Sequence, residues 1–478
     1  MSITQQIQVY EDVFVGGRFV PSSSERRIAV VNPATETVIA EVPEGNAADV
    51  DAAVQAARAA LPQWAALSPS KRATFLRALQ EALQSDANAL ADTIVSELGM
   101  PADATLDVQV NEAALFLGSY ADAVEGLPWR EQIANTLVVR EPVGVVAVIT
   151  PWNYPLYQIL AKAGAALAAG CTVVVKPSEL APLNAYGLAR AALRAQLPPG
   201  VLNIVMGTGK TVGEPLVLHP LVSMVGFTGS TDAGRRVAEL AARTPKPVSL
   251  ELGGKSATIV LDDADLDVVV PKAVADCFRN SGQTCSARTR LLVPRHLVER
   301  VSEIAAAAAA ATRLGPPTSP GNHLGPVISA AQRNKIQHFI EIGIAEGARL
   351  LSGGPDEPHG LPHGFYVKPT IFDRVTNDMI IAQEEIFGPV LVIIAYDGEA
   401  DAIAQANDSR YGLSAAVWSA SRQRATTVAN QLNTGEVFIN GGAYNRNAPF
   451  GGVKESGYGR ELGPAGMLEF TRTKSLHT

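Results

Sequence analysis

Of the side chains able to do covalent chemistry in this 478-residue chain, cysteine is the scarcest: Cys171, Cys277 and Cys285. A thiol titrates near about 8.5 and becomes a strong nucleophile once ionised. Three cysteines, odd in number and without a CxxC pair, make no disulfide framework. The seven histidines do not group with them at zinc spacing. His359 and His363 stand four apart, but Gly360 and Pro362 between them favour a loop over a metal-binding face, so no metal is expected. Cys171 and Cys277 lie in apolar stretches and read as core. Cys285 follows Gly282-Gln283-Thr284 and, taken alone, would pass for an inert small residue. Glu251 ends an apolar run and by itself reads as a solvated or capping carboxylate. Asn153, between Trp152 and Tyr154-Pro155, reads by itself as a turn residue.

Phosphate-binding candidates sort by spacing. Gly209-Lys210-Thr211 and Gly254-Lys255-Ser256 end like a P-loop, but the glycine required five positions earlier is Ile204 in one and Ser249 in the other. Gly207-Thr208-Gly209 opens a strand-to-helix turn, with its third glycine, Gly213, one residue late for a dinucleotide fingerprint. Phe227-Thr228-Gly229-Ser230 follows a buried strand and leads into a helix over Arg235–Arg243. Backbone N–H groups and Ser230 at that helix start suit a pyrophosphate, although βα turns are rich in glycine and serine in any case.

These residues need elements to hold them. Glu44 to Leu117 reads as helices, with helical spacing recurring through Ala52–Leu61, Arg72–Leu83 and Leu90–Leu98. Val143–Ile149 is a continuous β-branched run, as expected of a strand buried on both faces. Thr172–Val175, Leu202–Met206, Val222–Phe227 and Val248–Leu252 repeat the theme, with helices Leu156–Ala169 and Asn184–Arg194 between them. Strands alternating with helices predict βαβ units and a parallel sheet. A second α/β stretch follows Gly253-Gly254: helix Val268–Asn280, strand Arg290–Val293 and an alanine-rich helix Leu297–Thr312. The last ten residues alternate enough for an edge strand.

The chain is long enough for two or three domains. A net charge of −8 argues against a nucleic-acid or anionic-membrane partner. No apolar run is long enough to span a bilayer, and the polar segment Met1–Tyr10 lacks a secretory pattern. A cytoplasmic location is expected.

Four islands then combine. Thr150-Pro151-Trp152-Asn153-Tyr154-Pro155, Lys176-Pro177-Ser178-Glu179 and Glu251-Leu252-Gly253-Gly254-Lys255 each end a strand, where open α/β sheets bind ligands, and Gly282-Gln283-Thr284-Cys285 follows a helix. In this order and spacing they resemble the NAD(P)-dependent aldehyde dehydrogenase superfamily. So do Glu384-Glu385-Ile386-Phe387-Gly388-Pro389-Val390 and Pro449-Phe450-Gly451-Gly452 with Ser456-Gly457. The resemblance runs from about Val15-Gly16-Gly17 to the end of the chain.

It implies an α/β fold in three parts: a Rossmann-type parallel-sheet cofactor domain (1–122 and 141–252), an α/β catalytic domain (253–467) and a β oligomerisation extension (123–140 and 468–478). It implies oxidation of an aldehyde to a carboxylic acid. Cys285 would attack the carbonyl carbon, the Asn153 amide and the Cys285 backbone N–H would hold the oxyanion, and Glu251 would activate the water that hydrolyses the thioester. By the same carry-over Lys176 and Glu179, with Ser178, hold the adenosine ribose. Trp152, Gly209, Gly213, Phe227, Gly229, Ser230 and Leu252 approach the cofactor, and Glu385 and Phe387 approach the nicotinamide ribose and ring. Gln332 and Lys335 sit where some members touch the cofactor, or on an ordinary surface helix. A carboxylate at Glu179 should repel a 2′-phosphate, so NAD is expected over NADP, with NADP possible if Glu179 turns away.

Tyr154, Tyr157, Phe278 and Tyr444 resemble tunnel positions suited to apolar or aryl aldehydes. Arg279 departs from the apolar residue many members carry there, and either binds an anionic substrate end or snorkels to solvent. The partners implied are a small aldehyde and further copies of the chain, as a homodimer or homotetramer. A CoA-acylating enzyme is the rival within the resemblance, and Glu251 argues against it because that chemistry needs no hydrolytic base. A non-catalytic protein that kept the fold is the other, and intact Cys285, Glu251 and Asn153 argue against that.

Overall fold

A computed structural model describes residues 7–478, so residues 1–6 of the polar segment Met1–Tyr10 lie outside the described part. Val145–Ile149 is the central strand of an eight-stranded sheet. On one side it pairs in parallel with Thr172–Lys176, which pairs with Leu202–Ile204. On the other it pairs in parallel with Val222–Thr228, which pairs with Val248–Glu251. The strand order therefore reverses beside Val145–Ile149, and a ligand crevice opens beyond the carboxyl ends at that point. Thr150–Tyr154, Pro177–Glu179, Gly229-Ser230 and Leu252–Gly254 all lie at those ends.

Burial explains the continuous apolar runs. Val145, Ala147 and Ile149 pack on one face with Val50, Ala53 and Val54 of helix Ala47–Ala65. Val146 and Val148 pack on the other with Leu160 and Ala163 of helix Pro155–Ala169. With both faces covered, no polar alternation is tolerated.

A second sheet of seven strands runs from Arg349–Ser352 at one edge to Glu436–Ile439 at the other, with Ala257–Val260 and Arg290–Pro294 inside it. All its neighbours are parallel except the Arg349–Ser352 edge pair. A separate three-stranded sheet joins Arg130–Ile133, Thr136–Pro142 and Thr471–His477.

Several boundaries differ from the sequence reading. Ala123 is still helical, because the apolar spacing of Ala113–Gly126 carries on through Val124, and Arg140 lies inside a strand that runs to Pro142. Gly457–Tyr458, from the stretch assigned to the second domain, pairs with Leu250 and Glu251 and forms an edge of the first sheet. At the opposite edge stand two N-terminal strands, Asp12–Val15 and Arg18–Pro21, too short at four residues each to register as a pattern. Thr105–Glu112 is a π-helix where ordinary helix was expected.

Candidate active site

Cys285 lines a cavity of about 630 Å³. The loop that carries it leaves helix Leu266–Phe278 through an abrupt elbow: Asn280, Ser281 and Gly282 have φ of 52°, 55° and 75°. The turn after Glu251 closes on this loop. A methyl group on Gly254 would lie 2.9 Å from the Cys285 carbonyl oxygen, so only glycine allows the approach. Burial pushes the Cys285 thiol up to about 12, helped by the carboxylates of Glu385, Glu251 and Glu436. Cys171 and Cys277 are buried in the cores, their thiols facing the carbonyls of Phe470 and Val390.

Glu251 ends its strand with a carboxylate that is buried, and neither oxygen has a hydrogen-bond partner among the described residues. Burial raises it to about 8 against the pull of Lys162 and Arg460. A methyl group on Gly451 would sit 2.6 Å from its Oε1, so the Pro449–Gly452 island backs this carboxylate. Lys162, buried in helix Pro155–Ala169, forms an ion pair with buried Glu461. Sequence reasoning missed both, since a lysine in an apolar helix and a distant glutamate carry no shared local pattern.

Asn153 is buried, and its Nδ2 donates to the Gln283 carbonyl at 2.9 Å. An amide nitrogen has two hydrogens, so this bond orients the group and leaves a second donor. The Asn153 carbonyl accepts from Gln109 Nε2 at 3.0 Å and from Asn280 Nδ2 at 2.9 Å. Neither partner was picked out in the sequence.

The crevice at the strand reversal has the chemistry of a dinucleotide site. Lys176 is a buried cation whose Nζ meets Glu179 at 2.8 Å, a donor and an acceptor side by side for ribose hydroxyls. Ser178 is spent partly on its own turn, accepting from Leu180 N–H. The Ser230 hydroxyl caps helix Thr231–Ala242 by accepting from Ala233 N–H, and its own O–H stays available to a phosphate. Phe227 lies against Gly229, and Leu252 against Gly234. Gly209 is exposed while Gly213 is buried at the end of a π turn. Trp152 meets Phe387 edge-on, with ring centroids 5.4 Å apart. Glu385 accepts from Gly254 N–H at 3.2 Å, and Gln332 holds the Phe387 carbonyl at 2.9 Å. Gln332 thus braces this loop from helix Ala330–Ala345, whereas Lys335 is exposed.

Tyr154, Tyr157, Arg279 and Tyr444 line the cavity. The Tyr157 and Tyr444 hydroxyls hydrogen-bond at 3.0 Å, and Tyr154 bonds Thr284 at 2.7 Å. Phe278 departs from the expectation. It lies on the inner side of its helix and packs with Val260, Val274 and Leu291 in the core. Trp418, Phe438 and Phe450 supply aromatic wall in its place. Arg279 is half exposed and shares Asp276 with Arg288, at 3.5 Å against 2.7 Å.

Comparison with known proteins bears on this geometry. The model of the aldehyde dehydrogenase family matches residues 19–476. The chain is 45% identical to a 3-succinoylsemialdehyde-pyridine dehydrogenase of a Pseudomonas species and 44% identical to a geranial dehydrogenase of Castellaniella defragrans, in each case over 98% of both chains. Its structure is similar to a mutant of aldehyde dehydrogenase C from Pseudomonas syringae in complex with NAD+ and octanal, with a TM-score of 0.97, 44% identity and coverage of 99% and 98%. It is also similar to a Mycobacterium tuberculosis aldehyde dehydrogenase complexed with NAD+, with a TM-score of 0.96, 41% identity and coverage of 99% of each chain.

Proposed function

The chain belongs to the aldehyde dehydrogenase family and oxidises aldehydes to carboxylic acids with NAD, and from that premise we propose which residues carry the reaction and which aldehydes it takes. Cys285 gives its proton to Glu251, which passes it to water, and attacks the aldehyde carbon as the thiolate. The free N–H of the Asn153 amide and the Cys285 backbone N–H hold the oxyanion of the thiohemiacetal. NAD, when bound, supplies the hydride acceptor. Glu251 then takes a proton from the water that attacks the thioester, and the acid leaves. The observation that carries this reading is Glu251: a buried carboxylate with no protein partner is costly unless it has work to do on a ligand or water. Replacing Glu251 with Gln and following NADH in the first turnover tests it. A burst followed by slow release is expected, and steady turnover at the wild-type rate would make Glu251 structural. The free acid, not an acyl-CoA, is the expected product.

The substrate is an uncharged apolar or aryl aldehyde of medium size. Aromatic walls and a cavity of about 630 Å³ suit such a chain or ring. The charges at the mouth are largely spent on each other: Arg446 pairs with Glu112 at 2.7 Å, and Arg288 with Asp276. Arg279 therefore reads as a half-solvated side chain at the rim. The octanal in the Pseudomonas syringae complex and the names of the two relatives agree with this class. Glu179 favours NAD over NADP.

The chain works in the cytoplasm as a homodimer or homotetramer. The strand Thr471–His477, mostly exposed at the edge of its sheet, supports the oligomer; among the described residues no helix is long and apolar enough to cross a membrane. We assign 1–122 with 141–252 to the cofactor domain, of which 1–6 lie outside the described residues, 253–467 to the catalytic domain except for Gly457–Tyr458, which joins the first sheet, and 123–140 with 468–478 to the oligomerisation extension.

A further inference from the structure

Asn153 sits in a loop between a strand and a helix, so something must fix its backbone before its amide can hold a charge in place. Three buried amides, Gln109, Asn280 and Gln283, do so. Gln109 and Asn280 both donate to the Asn153 carbonyl, and Asn280 also reaches the Gln283 carbonyl at 3.3 Å. The Gln283 side chain donates to the Asn280 carbonyl at 3.0 Å and accepts from Ile328 N–H at 2.9 Å. The loop of the oxyanion donor and the loop of the nucleophile are knit into one unit.

Gln109 is the member that comes from outside these loops. It lies on the π-helix Thr105–Glu112, and π turns are rare and concentrate at functional sites. The same helix gives Asp107, Val108 and Glu112 to the tunnel wall. Gln109 is fully buried, and its Oε1 has no partner among the described residues. Burying an amide that satisfies only its nitrogen is unfavourable, and packing alone would be better served by an apolar side chain.

We propose that Gln109 is a positioning residue that fixes the Asn153 loop, so that the Asn153 amide meets the oxyanion formed on Cys285. This rests on the reading of Asn153 as an oxyanion donor. Replacing Gln109 with Met keeps the length and removes the donor. It should lower kcat about tenfold while leaving the aldehyde KM and the NAD Kd within about twofold, as for an interaction felt in the transition state. In an Asn153→Ala background the same change should cost nothing further, because the two act as a unit. Gln109→Glu can donate only when protonated, so its kcat relative to wild type should recover as the pH falls. A merely structural residue would show no such profile. Wild-type kcat in Gln109→Met, or the same fold loss in both backgrounds, overturns the proposal while leaving Asn153 in place. Should Gln109→Met not fold, a Gln109→Glu ratio that stays flat with pH overturns it equally. Asn153→Ala at wild-type kcat overturns the donor assignment itself, and this proposal with it.

Discussion

Glu251 must be ionised to take a proton, and burial has raised it to about 8, so its charged share shrinks as the pH drops below that value. Turnover limited by thioester hydrolysis should therefore fall about tenfold per pH unit on the acid side, with a limb near pH 8, as for a general base working below its pKa. Glu251→Gln should abolish that limb as well as slow turnover. A limb that persists in the variant belongs to another group. Cys285→Ala tests the nucleophile: turnover should drop by several powers of ten while NAD still binds, since the thiol takes part in the covalent steps and not in holding the adenosine. Residual turnover above about 1% would take the nucleophile's role away from Cys285. Glu179 sits beside Lys176 where the ribose is expected, and Glu179→Ser should narrow the ratio of kcat/KM for NAD over NADP by removing a carboxylate that repels a 2′-phosphate. An unchanged ratio would mean that the carboxylate faces elsewhere.

Short elements bring these residues together, and the turn Leu252–Lys255 has little slack. Gly254 touches the cysteine loop, and Glu385 crowds Gly253 from the other side. Gly254→Ala should push the Cys285 carbonyl away and lower kcat about tenfold or more, with a cost of roughly 1–3 kcal/mol in stability from overpacking. Normal kinetics in a stable variant would show that the loop has room. Elements of this kind were legible wherever a rule of local chemistry acts. Strands covered on both faces read as unbroken Val/Ile runs, and the ligand-facing islands fall just past their ends. The π-helix was not legible, because one extra residue per turn leaves the apolar spacing of Thr105–Glu112 looking like any helix. Gln109, Lys162 and Glu461 were missed for a related reason. Each acquires its role from a partner far along the chain, such as Gln109 from Asn153, 44 residues away. Phe278 shows the converse. A motif places the residue near the site, but only the rotation of helix Leu266–Phe278 decides that its ring enters the core and leaves Arg279 at the tunnel.

At the scale of the whole molecule, the three-stranded sheet has no core of its own. Thr471–His477 pairs along its full length with Thr136–Pro142, from Thr471 opposite Pro142 to His477 opposite Thr136. Glu141 anchors the pair through Lys474 and Arg472. Beyond that, the terminal strand is nearly all exposed, its outer edge is unpaired among the described residues, and Ile133 and Leu476 present apolar surface to solvent. The seven-stranded sheet also ends on an open parallel edge at Glu436–Ile439. A strand edge with free N–H and C=O groups is a template for another chain, and proteins that leave one open usually cover it. Symmetric association of copies covers such edges without new sequence, each subunit offering the same patch to the next. The alternative is a tail that frays, as termini without packing often do. Seven consecutive residues in register with an internal strand argue against fraying. Deleting residues from Glu469 onward should therefore shift the protein to smaller species in light scattering and lower its Tm, while the monomer's cavity residues, all before Glu469, stay in place. Full-length protein that is monomeric at micromolar concentration, or a deletion that leaves the assembly size unchanged, would remove the terminal strand from the interface.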